Sequence, residues 1–176
     1  MAIKVLIADD HALLRRGLVK LLEMTDDILV IGQATNGLEA VDLTESLQPN
    51  VVLMDVNMPD LNGIEATRLI TQQCPKTAVL ALTIHDDEYY IAEMIRAGAL
   101  GYILKDSDLN SVVHAIKRVA AGESVFPSHL MEKVMERFHQ LVERQSITSE
   151  LGHTTNDNNL TRRELEVLQC IVGGMS

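Results

Sequence analysis

Apolar residues in this chain follow two alternating patterns. Short β-rich runs (Ile3 to Ala8, Ile28 to Ala34, Val51 to Met54, Thr77 to Leu82, Leu100 to Leu104) are separated by segments whose apolar residues recur every three or four positions. Leu14, Leu18, Leu21 and Leu22 share one such helical stripe. Leu109, Val112, Val113, Ile116 and Val119 share another. Further helices are predicted near Leu38 to Leu47, over Gly63 to Gln73 and over Asp87 to Ala97. Turn chemistry marks their ends. Asn36-Gly37 opens one helix, Cys74-Pro75 stops the next, Gly98 acts as a C-cap, and Gly122 ends the last.

Five strands in strict alternation with five helices predict an α/β fold, a parallel sheet with helices on both faces. By analogy the expected architecture is flavodoxin-like and doubly wound, with strand order 2-1-3-4-5. The third strand is the centre of this pattern. Val51-Val52-Leu53-Met54 runs without a polar break into Asp55, between the turn residues Gln48-Pro49-Asn50 and Pro59 to Gly63. Such a run reads as a strand buried on both faces. It delivers Asp55 to the carboxyl edge of the sheet, where folds of this kind bind ligands.

The pattern changes after Gly122. Leu130, Val134, Phe138 and Leu141 predict an amphipathic helix between Pro127 and Gln145, and a polar stretch to Asn159 reads as a flexible tether. Thr161 and Glu164 then form a capping box ahead of Leu165 and Leu168. One helix does not fold alone, so the chain is expected to stop inside a second module. The expected division is 1–122, a linker over 123–159, and the first helix of another domain over 160–176.

Composition narrows the function. A formal charge of −10 argues against a nucleic-acid-binding surface in the residues present. Cys74 and Cys170 read as two reduced thiols rather than a disulfide. No apolar run reaches the roughly 20 residues that span a bilayer, and no signal peptide is evident. A cytoplasmic protein is expected.

The strand ends carry the chemistry: Asp9 and Asp10, Asp55, Thr83 and Lys105. Remote in sequence, they are neighbours along one edge of a parallel sheet. Clustered carboxylates repel unless a cation sits among them, and oxygen ligands of this kind suit Mg2+. Asp55 is the candidate nucleophile, giving an acyl phosphate. Thr83 can donate to a phosphate oxygen, and Lys105 supplies positive charge.

These residues carry a resemblance. Val5 to His11, Leu53 to Pro59 with Gly63, Ala81-Leu82-Thr83 and Gly98 to Lys105 are similar to segments of bacterial response-regulator receiver domains. Leu160 to Leu168 resembles the opening helix of a NarL/LuxR-type helix-turn-helix. Asp106 stands where many receivers have proline after the lysine. The resemblance implies that Asp55 is phosphorylated by a histidine kinase. It implies Mg2+ bound by Asp10, Asp55 and the main-chain carbonyl of Asn57, with Asp9 behind these ligands, and Thr83 and Tyr102 as a switch pair. Asn57 and His85 are expected to flank the phosphate and to tune its hydrolysis. A homodimer on activation and promoter DNA are the expected partners, with no membrane. The dimer surface is either the face of the fourth helix, fifth strand and fifth helix, or that of the first and fifth helices. The groove-reading helix would follow Ser176, so the chain as given is not expected to bind DNA specifically.

Rival readings fit less well. A phosphatase of this architecture would want Asp-x-Asp after strand 1, but Asp9-Asp10-His11 stands there. A cobalamin motif would need glycine at Leu14, and no Gly- or Ser/Thr-rich nucleotide loop follows strand 1. The alternative is a receiver-like interaction module that works without phosphorylation. It predicts neither phosphate transfer nor Mg2+ affinity.

Overall fold

The structure, a computed structural model, describes residues 2–84 and 88–126. The amphipathic helix, tether and helix-turn-helix opening expected after residue 126 lie outside the described residues, as do His85 and the expected start of the fourth helix at Asp87.

The elements alternate as β1 (Ile3–Ala8), α1 (Ala12–Glu23), β2 (Ile28–Ala34), α2 (Gly37–Leu47), β3 (Val51–Asp55), α3 (Gly63–Gln73), β4 (Ala78–Thr83), α4 (Glu88–Ala97), β5 (Gly101–Leu104) and α5 (Leu109–Ala120). All strand pairs are parallel, and the order is β2-β1-β3-β4-β5, the flavodoxin-like arrangement expected. β4 and β5 begin one residue later than the sequence suggests. At β4 the reason is local, because the Thr77 amide turns back to donate to the Cys74 carbonyl at 2.9 Å.

Side chains two apart on a strand share a face, and here both faces are covered. Val51 and Leu53 join Val5, Ile7, Leu80 and Leu82 in a layer against α1 and α5, meeting Leu18, Leu22, Val112 and Ile116. Val52 and Met54 face the other way with Leu6, Ala8, Val79 and Ala81, against Ala40, Ile70, Ile91 and Met94 of α2, α3 and α4. This is why β3 reads as an unbroken apolar run: every residue from Val51 to Asp55 is buried.

The helix ends use the expected chemistry. Asn36 and Asn62 each accept, at 2.9 Å, the amide of the residue three positions on, satisfying a donor that has no partner within the helix. Gly98 ends α4 with φ +97°, a left-handed backbone that side chains rarely adopt. The α1 stripe is only partly buried. Leu18 and Leu22 enter the core, while Leu21 is 41% exposed and Leu13, off the stripe, is 87% exposed.

Packing continues beyond α5. The Val125 amide donates to the Leu100 carbonyl at 2.9 Å and the Tyr102 amide to the Val125 carbonyl at 2.8 Å, so Val125 covers the outer edge of β5. Phe126 packs against the layer that holds Tyr102. Cys74 is buried with a free thiol. Among the described residues, no helix is long and apolar enough to cross a membrane.

Candidate functional site

Because all five strands run the same way, their last residues collect at one edge of the sheet. Asp55 is the final residue of β3, in register with Leu82 of β4, and is 3% exposed. The first turn of α3 presses on this strand end, where the Gly63 amide donates to the Val56 carbonyl at 2.9 Å. A Cβ at position 63 would overlap the Asp55 carbonyl oxygen, so the approach needs glycine. On the other side, the Asn57 amide donates to Asp55 Oδ1 at 3.3 Å.

Lys105 reaches this carboxylate from the residue after β5. Its own amide donates to the Thr83 carbonyl at 2.7 Å, which ties it to the end of β4. From there Nζ donates to Asp55 Oδ2 at 2.7 Å and lies 2.8 Å from Asp9 Oδ2. The contact with Asp9 is an ion pair rather than an aligned hydrogen bond. The Lys105 side chain is 7% exposed and that of Asp9 1%, so solvent screens this triad little.

The adjacent aspartates have different roles in the packing. Asp9 faces inward. Its Oδ1 accepts the His11 amide at 2.7 Å and its carbonyl accepts Arg15 Nη1 at 2.5 Å. The Asp10 side chain is 35% exposed and turns outward toward His11, whose Nδ1 lies 2.8 Å from Asp10 Oδ1. Donor atoms of Asp9, Asp10, His11 and Asp55 all lie within 4.8 Å of one another.

Asp9, Asp10, Asp55 and Lys105 are thus brought together as expected. Thr83 is buried at the next strand end, and the Tyr102 ring is buried in the layer beneath. Asn57 is exposed and meets Asp55 through its amide. His11 and Arg15 were not anticipated as site residues. The signal was available: His11 directly follows the acidic pair, and Arg15 lies one helical turn further on.

Burial is the main cause that raises the Asp55 carboxyl above the usual carboxylate range, and neighbouring Asp9 adds to it. The Lys105 hydrogen bond pulls the other way without cancelling them. Burial also works against the charged form of Lys105, but its contacts with the Asp55 and Asp9 carboxylates outweigh this and push it up. Ionised, the three carboxylates exceed the single ammonium by two charges. Hard oxygen donors with that imbalance fit a divalent cation such as Mg2+. Chemically, a buried carboxylate beside an ammonium can attack an electrophile whose negative charge the ammonium then stabilises.

The fold and this pocket together define a receiver-type signalling module. A family model described as "Response regulator receiver domain" matches residues 5–117, and the chain belongs to that family. Its similarities extend beyond the receiver. The chain is 39% identical over 180 residues to the transcriptional regulatory protein DegU of Brevibacillus brevis, covering 99% of this chain and 76% of that protein. It is 33% identical over 172 residues to the nitrate/nitrite response regulator protein NarL of Escherichia coli strain K12, covering 97% and 76%. Among solved structures, a two-component response regulator of the LuxR family from Aurantimonas sp. SI85-9A1 aligns with TM-score 0.72 and 31% identity, over 78% of this chain and 98% of that one. The protein is a transcriptional response regulator of the NarL/LuxR type, a phosphoacceptor regulator rather than an enzyme, and its acidic pocket is consistent with the phosphorylation site.

Proposed function

We propose that Asp55 accepts a phosphoryl group from the phosphohistidine of a sensor kinase. An Asp55 oxygen attacks phosphorus in line, the P–N bond breaks, and an acyl phosphate forms. The observation that carries this reading is the position of Lys105 Nζ, 2.7 Å from Asp55 and 2.8 Å from Asp9. On transfer, the ammonium exchanges a carboxylate contact for the incoming phosphoryl oxygens. Asp10, Asp55 and the Asn57 carbonyl would hold Mg2+, with Asp9 behind them; when bound, the ion neutralises charge on the phosphoryl group. Asn57 and His85 tune the access of water to the acyl phosphate.

The new charge draws the Thr83 hydroxyl toward it. Tyr102 lies next in the sheet, its ring already inside, and shifts with the β4–β5 edge between two populations. The output is pairing of two output modules on promoter DNA; the segment that opens at Leu160 begins such a module, after a linker over 123–159 that follows the receiver of residues 1–122, and does not read the groove by itself. Of the two candidate dimer surfaces, the α1–α5 face is favoured. It presents Leu13 and Leu21 beside a depression of about 350 Å³ lined by Leu14, Leu109, Val112 and Lys105, so it borders the phosphorylation pocket. The protein acts in the cytoplasm.

Incubation with acetyl phosphate and Mg2+, followed by intact-mass measurement and sedimentation, tests the reading. Wild type should gain one phosphate and associate, and Asp55→Ala should do neither. Association of both proteins without added mass would favour the phosphorylation-independent module instead.

A further inference from the structure

We propose that His11 is a cation ligand of the acidic pocket, and that it makes the pocket prefer a borderline transition ion such as Co2+ over Mg2+. The inference rests on the reading that the carboxylates of Asp10 and Asp55 hold a divalent cation, and adds a nitrogen donor to that set.

The geometry places the ring where a ligand would stand. His11 Nδ1 lies 2.8 Å from Asp10 Oδ1 and 3.7 Å from Asp9 Oδ1. Two donors at right angles on one ion, each about 2.1 Å from it, lie about 3 Å apart. The Asp10–His11 spacing matches that bite. Donor atoms of all four residues fall within 4.8 Å of one another, against about 4.2 Å across an octahedral ion. The closure still required is small, and it falls on the two members free to move. The His11 side chain is 69% exposed and that of Asp10 35%, while Asp9 and Asp55 are fixed by Lys105. The His11 backbone is held in place, because its amide donates to Asp9 Oδ1 at 2.7 Å.

A simple ion pair between His11 and Asp10 accounts for less. An exposed pair of that kind is worth little in water. Donor chemistry separates the two accounts. Mg2+ takes oxygen ligands, so an imidazole adds little to its binding. Co2+, Ni2+ and Zn2+ accept imidazole readily. His11 therefore acts on the choice of ion more than on the existence of the site, and an ion held this way competes with Mg2+ for the same carboxylates.

The test is calorimetric titration of the full chain with Co2+ alone and Mg2+ alone, with the visible absorption of bound Co2+ followed in parallel. Four proteins are compared: wild type, His11→Gln, Asp10→Asn, and His114→Gln, which alters an exposed histidine of α5 outside the pocket. His11→Gln should bind Co2+ about tenfold or more weakly, the scale on which even an outer-shell partner matters. Its Mg2+ affinity should stay within about twofold of wild type, and the Co2+ absorption should move toward that of an all-oxygen set. His114→Gln should leave both ions unchanged. Wild-type Co2+ affinity and spectrum in His11→Gln overturn the proposal; if Asp10→Asn still loses both ions, the carboxylate site itself stands. Unchanged Mg2+ binding in Asp10→Asn would overturn the pocket as well.

Discussion

Lys105 is the only cation in contact with two buried carboxylates among the described residues, so removing its charge is the sharpest test of the pocket's electrostatics. Lys105→Met keeps most of the apolar stem and deletes the ammonium, leaving Asp9 and Asp55 close together and almost without solvent. Breaking a buried pair by removing one partner costs about 3–5 kcal/mol. For a domain of this size, a loss near the lower bound lowers Tm by about 10 °C. The pH dependence gives a second readout. A raised Asp55 means that the folded state holds this proton more tightly than the unfolded chain does. Its charged form therefore costs stability at neutral pH, and the cost is relieved as pH falls through the folded value toward 3.8. Without Lys105 that folded value rises further. The deficit of Lys105→Met should therefore shrink on acidification, as Asp55 takes up its proton. Lys105 itself is raised, so in wild type its contribution is present below 10.5 and is lost only as pH rises through its folded value. Mg2+ should stabilise the variant by about 1.4 kcal/mol at a tenfold excess over the variant's Kd, and wild type by less at the same concentration. The assay is thermal unfolding by circular dichroism at several pH values, with and without Mg2+. A Tm within about 2 °C of wild type, or a deficit that grows as pH falls, would refute the reasoning.

Asp55→Asn removes the buried charge while keeping the side chain's shape, so in the absence of divalent cations its Tm at pH 7 should exceed that of wild type. Intact mass should show no phosphate uptake from acetyl phosphate. Gly63→Ala drives a methyl into the Asp55 carbonyl and should cost about 1–3 kcal/mol in urea unfolding, with slower phosphate uptake. A wild-type midpoint would mean that the approach of α3 to β3 is looser than described. Val125→Pro deletes the donor to the Leu100 carbonyl and should uncover the outer edge of β5. Faster hydrogen exchange at the Tyr102 amide would report this, and unchanged exchange would count against the edge pairing.

The succession of elements, the strand limits to within a residue and the parallel sheet could be read from the chain, because alternation of strand and helix with these turn residues leaves few arrangements. The gathering of Asp9, Asp10, Asp55 and Lys105 was legible for the same reason: parallel strands bring distant ends to one edge. Other features had no local signature. An unbroken run such as Val51 to Met54 contains no polar alternation, so only packing decides that Val51 and Leu53 face α1 and α5 while Val52 and Met54 face α2, α3 and α4. Asp9 and Asp10 are chemically identical neighbours. The direction in which β1 ends sends one into the ion pair with Lys105 and leaves the other near solvent. The same applies to His11 turning back over the pocket, Leu13 and Leu21 standing in solvent, and Val125 closing the edge of β5. Each depends on which surfaces meet after the chain has folded, and residue type and spacing along one strand or helix do not carry that information.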